Sequence, residues 1–198
     1  MTARSGRPAL GLLLAPGAGA DRDQPTLLAL DRAARAVGMV VERMDFPYRR
    51  AGRRAPDRAP VLVEAVRVEA AGLSARCDRL VLGGRSMGGR MCSMAVAAGL
   101  VPAAAGLVLI SYPLHPPGRP EKMRSGHFPD LSVPCLFVSG TRDAFGSPSE
   151  LEAATSAIPA PVTHRWVEGR DHSLRSSDQV VVPIVIGWLS ALVEAVQE

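Results

Sequence analysis

The sequence predicts an α/β fold built on a doubly wound, mostly parallel sheet of about six strands. Apolar runs of strand length alternate along the chain with longer stretches of helical spacing. Those short runs are apolar almost throughout, not at every second residue, as expected of strands covered on both faces. The length of 198 residues, 47% of them hydrophobic, is enough for a buried core and too short to require two. A single domain over residues 1–198 is expected.

The elements follow in order. ALGLLLA at 9–15 reads as a buried strand that ends in the glycine loop PGAGA. PTLLALDRAARAVG at 25–38 is a helix: Pro25 presets φ for a first turn and Gly38 tolerates the left-handed exit. MVVERMDF at 39–46 is a strand, PVLVEAVRVEAAGL at 60–73 a helix and DRLVLGG at 78–84 a strand. MGGRMCSMAVAAGL at 87–100 has the small and apolar spacing of a buried helix, and AGLVLISYPL at 105–114 is another strand. Residues 115–132 are too rich in proline and glycine to be regular. VPCLFVSG at 133–140 is a strand, PSELEAATSAI at 148–158 a helix capped by Ser147, and THRWVEG at 163–169 the last strand. A final helix begins near Asp178, with Pro183 tolerable only in its first turns.

Composition narrows the function classes. Cys77, Cys92 and Cys135 are scattered and odd in number, so they give neither a disulfide framework nor zinc-site spacing. A reducing cytoplasm fits them best. The net charge of +4 could point to nucleic acid, but only Lys122 among the 23 basic residues is a lysine, a bias that looks like genomic base composition. Arg49, Arg50, Arg53, Arg54 and Arg58 do cluster, yet no aromatic residues interleave for base stacking, and Pro56 and Pro60 interrupt any helix. The cluster reads as a solvated loop in preference to an anion-binding patch, and not as a nucleic-acid face. Arg4 and Arg7 before an apolar run imitate a secretory signal, but Gly11 interrupts the run and a strand reading serves equally well. IVIGWLSALV at 184–193 falls short of the roughly 18 residues a membrane span needs.

In a parallel sheet, ligands bind at the carboxyl ends of the strands. There the strand at 78–84 runs into Gly84, Arg85, Ser86, Met87 and Gly88, the spacing Gly-x-Ser-x-Gly. That spacing places a serine on a tight strand-to-helix turn with its hydroxyl above the sheet, and the flanking glycines avoid collision. A phosphate loop is a poor alternative, because GGRSMGG lacks a Gly-Lys-Ser/Thr ending; a packing turn with an inert serine is the other. A serine needs a base, and the base an orienting carboxylate. Asp143 stands three residues past Gly140 at the end of one strand, and His172 three past Gly169 at the end of the next. The order Ser, Asp, His is that of a hydrolase of this architecture. Asp171 is a substitute carboxylate but follows the base strand, and His164 lies at the wrong end of its strand. His115 and His127 flank the irregular segment and are candidate substrate contacts, as is Gly17. Oxyanion donors are expected from the amides of Met87 and of Ala18 in the PGAGA loop.

With these residues in place the chain resembles the α/β-hydrolase superfamily, and most closely its small, uncapped, dienelactone-hydrolase-like members. The resemblance runs from LLLAPGAGA through DFPY, GGRSMGG, SYPLHPPGRPEK and LFVSGTRDAFG to GRDHSL. It implies a minimal hydrolase sheet without an N-terminal hairpin or cap domain. That group would carry His-Gly where this chain has Pro16-Gly17, and dienelactone hydrolases use a cysteine nucleophile where this chain has Ser86.

The expected activity is serine hydrolysis of a small-molecule carboxylic ester or thioester, with no metal or organic cofactor and neither nucleic acid nor membrane as partner. Two alternatives stand beside it: acyl transfer to an acceptor other than water, and a non-catalytic binding or scaffolding module on the same fold.

Overall fold

Leu12, Leu13 and Leu14 are consecutive leucines with no exposed surface, as expected of a strand with a packed layer on either side. They belong to β1 (Leu10–Ala15), an interior strand of a parallel six-stranded sheet. The computed structural model describes residues 10–197. Its elements run β1, α1 (Pro25–Ala36), β2 (Val40–Arg43), α2 (Pro47–Arg50), α3 (Ala59–Ser74), β3 (Arg79–Arg85), α4 (Met87–Ala97), β4 (Ala104–Ile110), β5 (Cys135–Gly140), α5 (Pro148–Thr155), β6 (Val162–Val167) and α6 (Asp178–Gln197).

The strand order is β2-β1-β3-β4-β5-β6, with every neighbouring pair parallel. The chain's direction of winding reverses between β1 and β3, and the crevice above that point is where such sheets bind ligands. Alternation of side chains divides the core in two. Leu13, Leu82, Leu109 and Phe137 pack beneath α3, α4 and α5. Leu12, Leu14, Val81, Val108 and Val138 face α1 and α6.

The expected elements are present, most of them shorter at their ends. The strand expected over 9–15 begins at Leu10; Ala9, and with it Arg4, Arg7 and Pro8, lies outside the described residues. β4 stops at Ile110, not at Leu114, because Ser111 turns the chain at φ 49° while its amide still donates to the Val138 carbonyl. The strand expected over 39–46 ends at Arg43, and Pro47 starts the single turn α2 inside what was expected to be an irregular loop. Gly38, Gly99 and Gly169 end their elements with positive φ. Ser147 and Glu150 form a reciprocal capping box on α5. Pro183 sits in the second turn of α6. Between β4 and β5 the described residues contain only a 3-10 turn, Phe128–Asp130, so there is no cap domain. Among the described residues no helix is long and apolar enough to cross a membrane.

The three cysteines are buried in the core, and burial pushes the thiols of Cys92 and Cys135 up to about 12. Such thiols stay protonated at neutral pH and are inert as nucleophiles.

Phe137 is fully buried with its ring against Tyr112, Phe128 and His164. Phe137→Ala is expected to cost about 3–5 kcal/mol of stability through lost transfer energy and the cavity left behind, read as a lowered urea midpoint at unchanged slope.

Candidate active site

β3 delivers the chain to Ser86 and α4 carries it away. Ser86 takes φ 49° and ψ −115°, a region a non-glycine residue occupies only where its surroundings enforce it. Its amide donates to the Ile110 carbonyl at 2.8 Å, which ties the turn to β4. A Cβ at Gly84 would lie 2.1 Å from the Ala15 carbonyl oxygen, and one at Gly88 would lie 2.2 Å from that same oxygen. The two glycines therefore let the turn rest directly on β1. Ser86 is the N-cap of α4, yet its hydroxyl caps nothing; Oγ lies 2.8 Å from Nε2 of His172.

His172 follows β6 and Asp143 follows β5. Nδ1 of His172 lies 2.8 and 3.0 Å from the two carboxylate oxygens of Asp143, whose side chain is 1% exposed. A carboxylate only accepts, so the proton sits on Nδ1, and Nε2 is left to accept from the Ser86 hydroxyl. Phe145 stacks on the imidazole at 4.0 Å, while its amide donates to Asp143 Oδ1 at 2.8 Å; one turn thus orients both ring and carboxylate. Nη2 of Arg85, from within the Gly-x-Ser-x-Gly turn, donates to the carbonyls of His172, at 2.7 Å, and Ser173. Burial lowers the pKa of this guanidinium, against the opposing charges of Asp178, Asp143 and Asp171. The Asp171 carboxylate instead accepts from the amide and hydroxyl of Ser173, so Asp143 is the residue that meets the ring.

The PGAGA loop is held from two sides. The amide of Gly17 donates to Gln24 Oε1 and that of Gly19 to the Tyr48 hydroxyl, each at 3.1 Å. Ala18 between them is exposed, and among the described residues its amide has no acceptor. Met87 opens α4, where amides have no carbonyl one turn earlier to bond. Ala18, Gly17, Ser86, Met87 and His172 all line one cavity of about 520 Å³.

The two histidines expected as substrate contacts are held elsewhere. His115 Nδ1 lies 2.9 Å from the Pro116 carbonyl, and Nε2 of His127 lies 2.8 Å from Ser93 Oγ; neither ring lines the cavity. Burial, with the Arg90 charge adding to it, pushes His127 down to about 4. The arginines at 49–53 meet partners within the chain. Arg49 pairs with Asp21 at 3.2 Å, Arg50 with Glu69, and Arg53 with Asp57 at 2.7 Å, so carboxylates of the chain itself already compensate these charges. Among the described residues no three or more His, Cys, Asp or Glu side chains are grouped to hold a metal.

A parallel doubly wound sheet with a serine turn at its switch point defines the architecture of the α/β hydrolases. The sequence matches the alpha/beta hydrolase domain family over residues 8–181, and the chain belongs to that family. Solved structures agree. Est1E from Butyrivibrio proteoclasticus superposes with a TM-score of 0.77 at 13% identity, over 96% of this chain and 90% of Est1E. Dienelactone hydrolase from Anabaena variabilis gives 0.75 at 16% identity, over 94% of this chain and 87% of that one. A structure from work on LipS and LipT, two metagenome-derived lipolytic enzymes, gives 0.77 at 14% identity, over 93% of this chain and 95% of that one. Identities this low establish a shared fold.

Two predictions follow from the site's supports. Arg85→Leu leaves the His172 and Ser173 carbonyls without their charged donor, and is expected to cost about 1–3 kcal/mol, measured by thermal unfolding. His127 gives a pH dependence. The unfolded chain takes up its proton near 6.5 and the folded one only near 4. The unfolded state therefore binds more protons in that window, and stability falls as pH drops from about 6.5 to about 4. Urea midpoints of His127→Gln across the window should fall less steeply than wild type; equal slopes would remove His127 as a source.

Proposed function

We propose that the chain is a single-domain serine hydrolase that cleaves a carboxylic ester or thioester. The observation that carries this reading is the unbroken line of hydrogen bonds from Ser86 Oγ through both nitrogens of His172 to the buried Asp143. In the proposed reaction His172 Nε2 takes the Ser86 hydroxyl proton as Oγ bonds to the carbonyl carbon. Asp143 holds the tautomer and stabilises the imidazolium that forms. The amides of Met87 and Ala18 would receive the oxyanion, each worth about 3–4 kcal/mol in the transition state. His172 then gives its proton to the departing alkoxide or thiolate as the C–O or C–S bond breaks. Water, deprotonated by the same nitrogen, attacks the acyl-enzyme and releases the acid. Nothing in this sequence of steps requires a metal or organic cofactor.

Support for an ester-type substrate comes from the named relatives, which include lipolytic enzymes and a dienelactone hydrolase. The departure at Pro16 leaves the loop's amides intact, since a proline there removes a donor only at its own position. Gln24 and Tyr48 hold the loop on either side of Ala18.

The test is covalent labelling by a fluorophosphonate probe. Wild type is expected to label, and Ser86→Ala to lose labelling completely. Ser86→Ala and His172→Ala should each lower hydrolysis of short aryl esters by on the order of 10⁴-fold. Equal aryl-ester turnover by wild type and Ser86→Ala would refute the mechanism. Absent labelling would favour a scaffolding module, and acyl products formed on an added alcohol acceptor would favour acyl transfer.

A further inference from the structure

Arg90 and Arg124 stand apart from the other arginines near the cavity. Arg49, Arg50 and Arg53 each meet a carboxylate, and Arg85 donates through Nη2 to two carbonyls. Arg90 and Arg124 line the cavity beside Ser86 and His172, and among the described residues neither forms an ion pair. Nε of Arg90, like those of Arg49 and Arg85, is buried without a hydrogen-bond partner, and the Arg90 guanidinium also meets the Tyr112 side chain in a hydrogen bond.

Both side chains are delivered from fixed backbone. Arg90 lies one turn into α4, its amide bonded to the Ser86 carbonyl at 3.1 Å. Arg124 belongs to the irregular segment between β4 and β5 but is pinned there. Its amide donates to the Leu114 carbonyl at 2.7 Å, and its own carbonyl accepts from the Tyr112 hydroxyl at 2.8 Å. Asp57 is the cavity's acidic lining residue; its Oδ1 pairs with Arg53 at 2.7 Å, while its Oδ2 is buried without a hydrogen-bond partner. The two guanidinium groups feel one another: burial and then the Arg90 charge lower the pKa of Arg124.

Converging like charges in a partly desolvated cavity are unfavourable until an anion arrives to satisfy them. Guanidinium groups are suited to that task, because their planar forks match carboxylate and phosphate oxygens. We propose that Arg90 and Arg124 form an anion subsite beside Ser86, so that the substrate is an ester or thioester carrying a carboxylate or phosphate group. This rests on the hydrolase reading above and specifies its substrate class. It places the anion preference in the cavity itself, not in the arginine loop at 49–58.

The test compares matched esters. One pair, 4-acetoxybenzoate and its methyl ester, places the charge on the leaving group; the other, monophenyl adipate and phenyl hexanoate, places it on the acyl chain. Wild type is expected to prefer the charged member of at least one pair by about tenfold or more in kcat/KM, carried mainly by KM, with the preference shrinking as salt rises. Arg90→Gln and Arg124→Gln should each lower that charged-to-neutral ratio about tenfold, with Arg124→Lys retaining part of it. Arg124 is on irregular backbone, so its variants keep the test alive if Arg90→Gln does not fold. A wild type that labels with fluorophosphonate and shows no charge preference in either pair would overturn the subsite and leave the hydrolase standing. Should turnover be absent, calorimetry on Ser86→Ala with 4-acetoxybenzoate and its methyl ester reads the subsite without catalysis. Tighter binding of the charged ligand, lost in the Ser86→Ala, Arg124→Gln double variant, would sustain the subsite; equal binding would overturn it.

Discussion

The carbonyl oxygen of Ala15 leaves no room for a side chain at either Gly84 or Gly88. That close approach lets the serine turn sit on top of β1, beside the loop that β1 itself feeds. Without it the turn would have to rise away from the sheet, and the Ala18 amide would no longer share a cavity with Ser86. The strain at Ser86, with φ of 49°, has to be compensated by its surroundings. The hydrogen bond that its amide donates to the Ile110 carbonyl on one side and the packing of α4 against β3 on the other do so. The catalytic proposal thus depends on a backbone contact before it depends on any side chain.

Positioning of the base is a second consequence of the same layout. β5 and β6 are neighbours, so the loops after them lie side by side, and a Cβ at Gly140 would come 2.1 Å from the Arg170 carbonyl oxygen. The amide of Arg142 donates to that same carbonyl at 2.8 Å. The loops of Asp143 and His172 are therefore tied by backbone before their side chains meet. Arg85 adds a tie across the sheet, from the serine turn to the carbonyls of His172 and Ser173. A chain of hydrogen bonds among three loops is only as well oriented as the loops themselves, and here all three are cross-linked.

Most of the fold was legible in the sequence because strands buried on both faces leave near-continuous apolar runs of strand length. Strand ends were less legible. Tyr112 and Leu114 are buried like strand residues, but the chain leaves the sheet at Ser111, and burial alone does not distinguish a strand from a packed loop. The positions of Ser86, Asp143 and His172 could be read from order and from strand ends, since topology brings those ends to one edge. Arg85 and Phe145 could not, because their contacts depend on side-chain direction across loops far apart in sequence. His115 and His127 were drawn toward the site by sequence proximity to an irregular segment, whereas in the fold Pro116 and Ser93 hold them.

The arginines show how charge misleads when read along the chain. A run of like charges in sequence looks like a patch, yet the fold places Asp21, Glu69 and Asp57 against three members of that run. Arg90 and Arg124, 34 positions apart in sequence, line one cavity, and among the described residues neither is paired with a carboxylate. Desolvation makes the second arrangement the consequential one: an exposed charge is screened by water and salt, while a partly buried charge without a counterion keeps its field. A ligand's charge is therefore expected to be read where the protein has left its own uncompensated, within reach of Ser86.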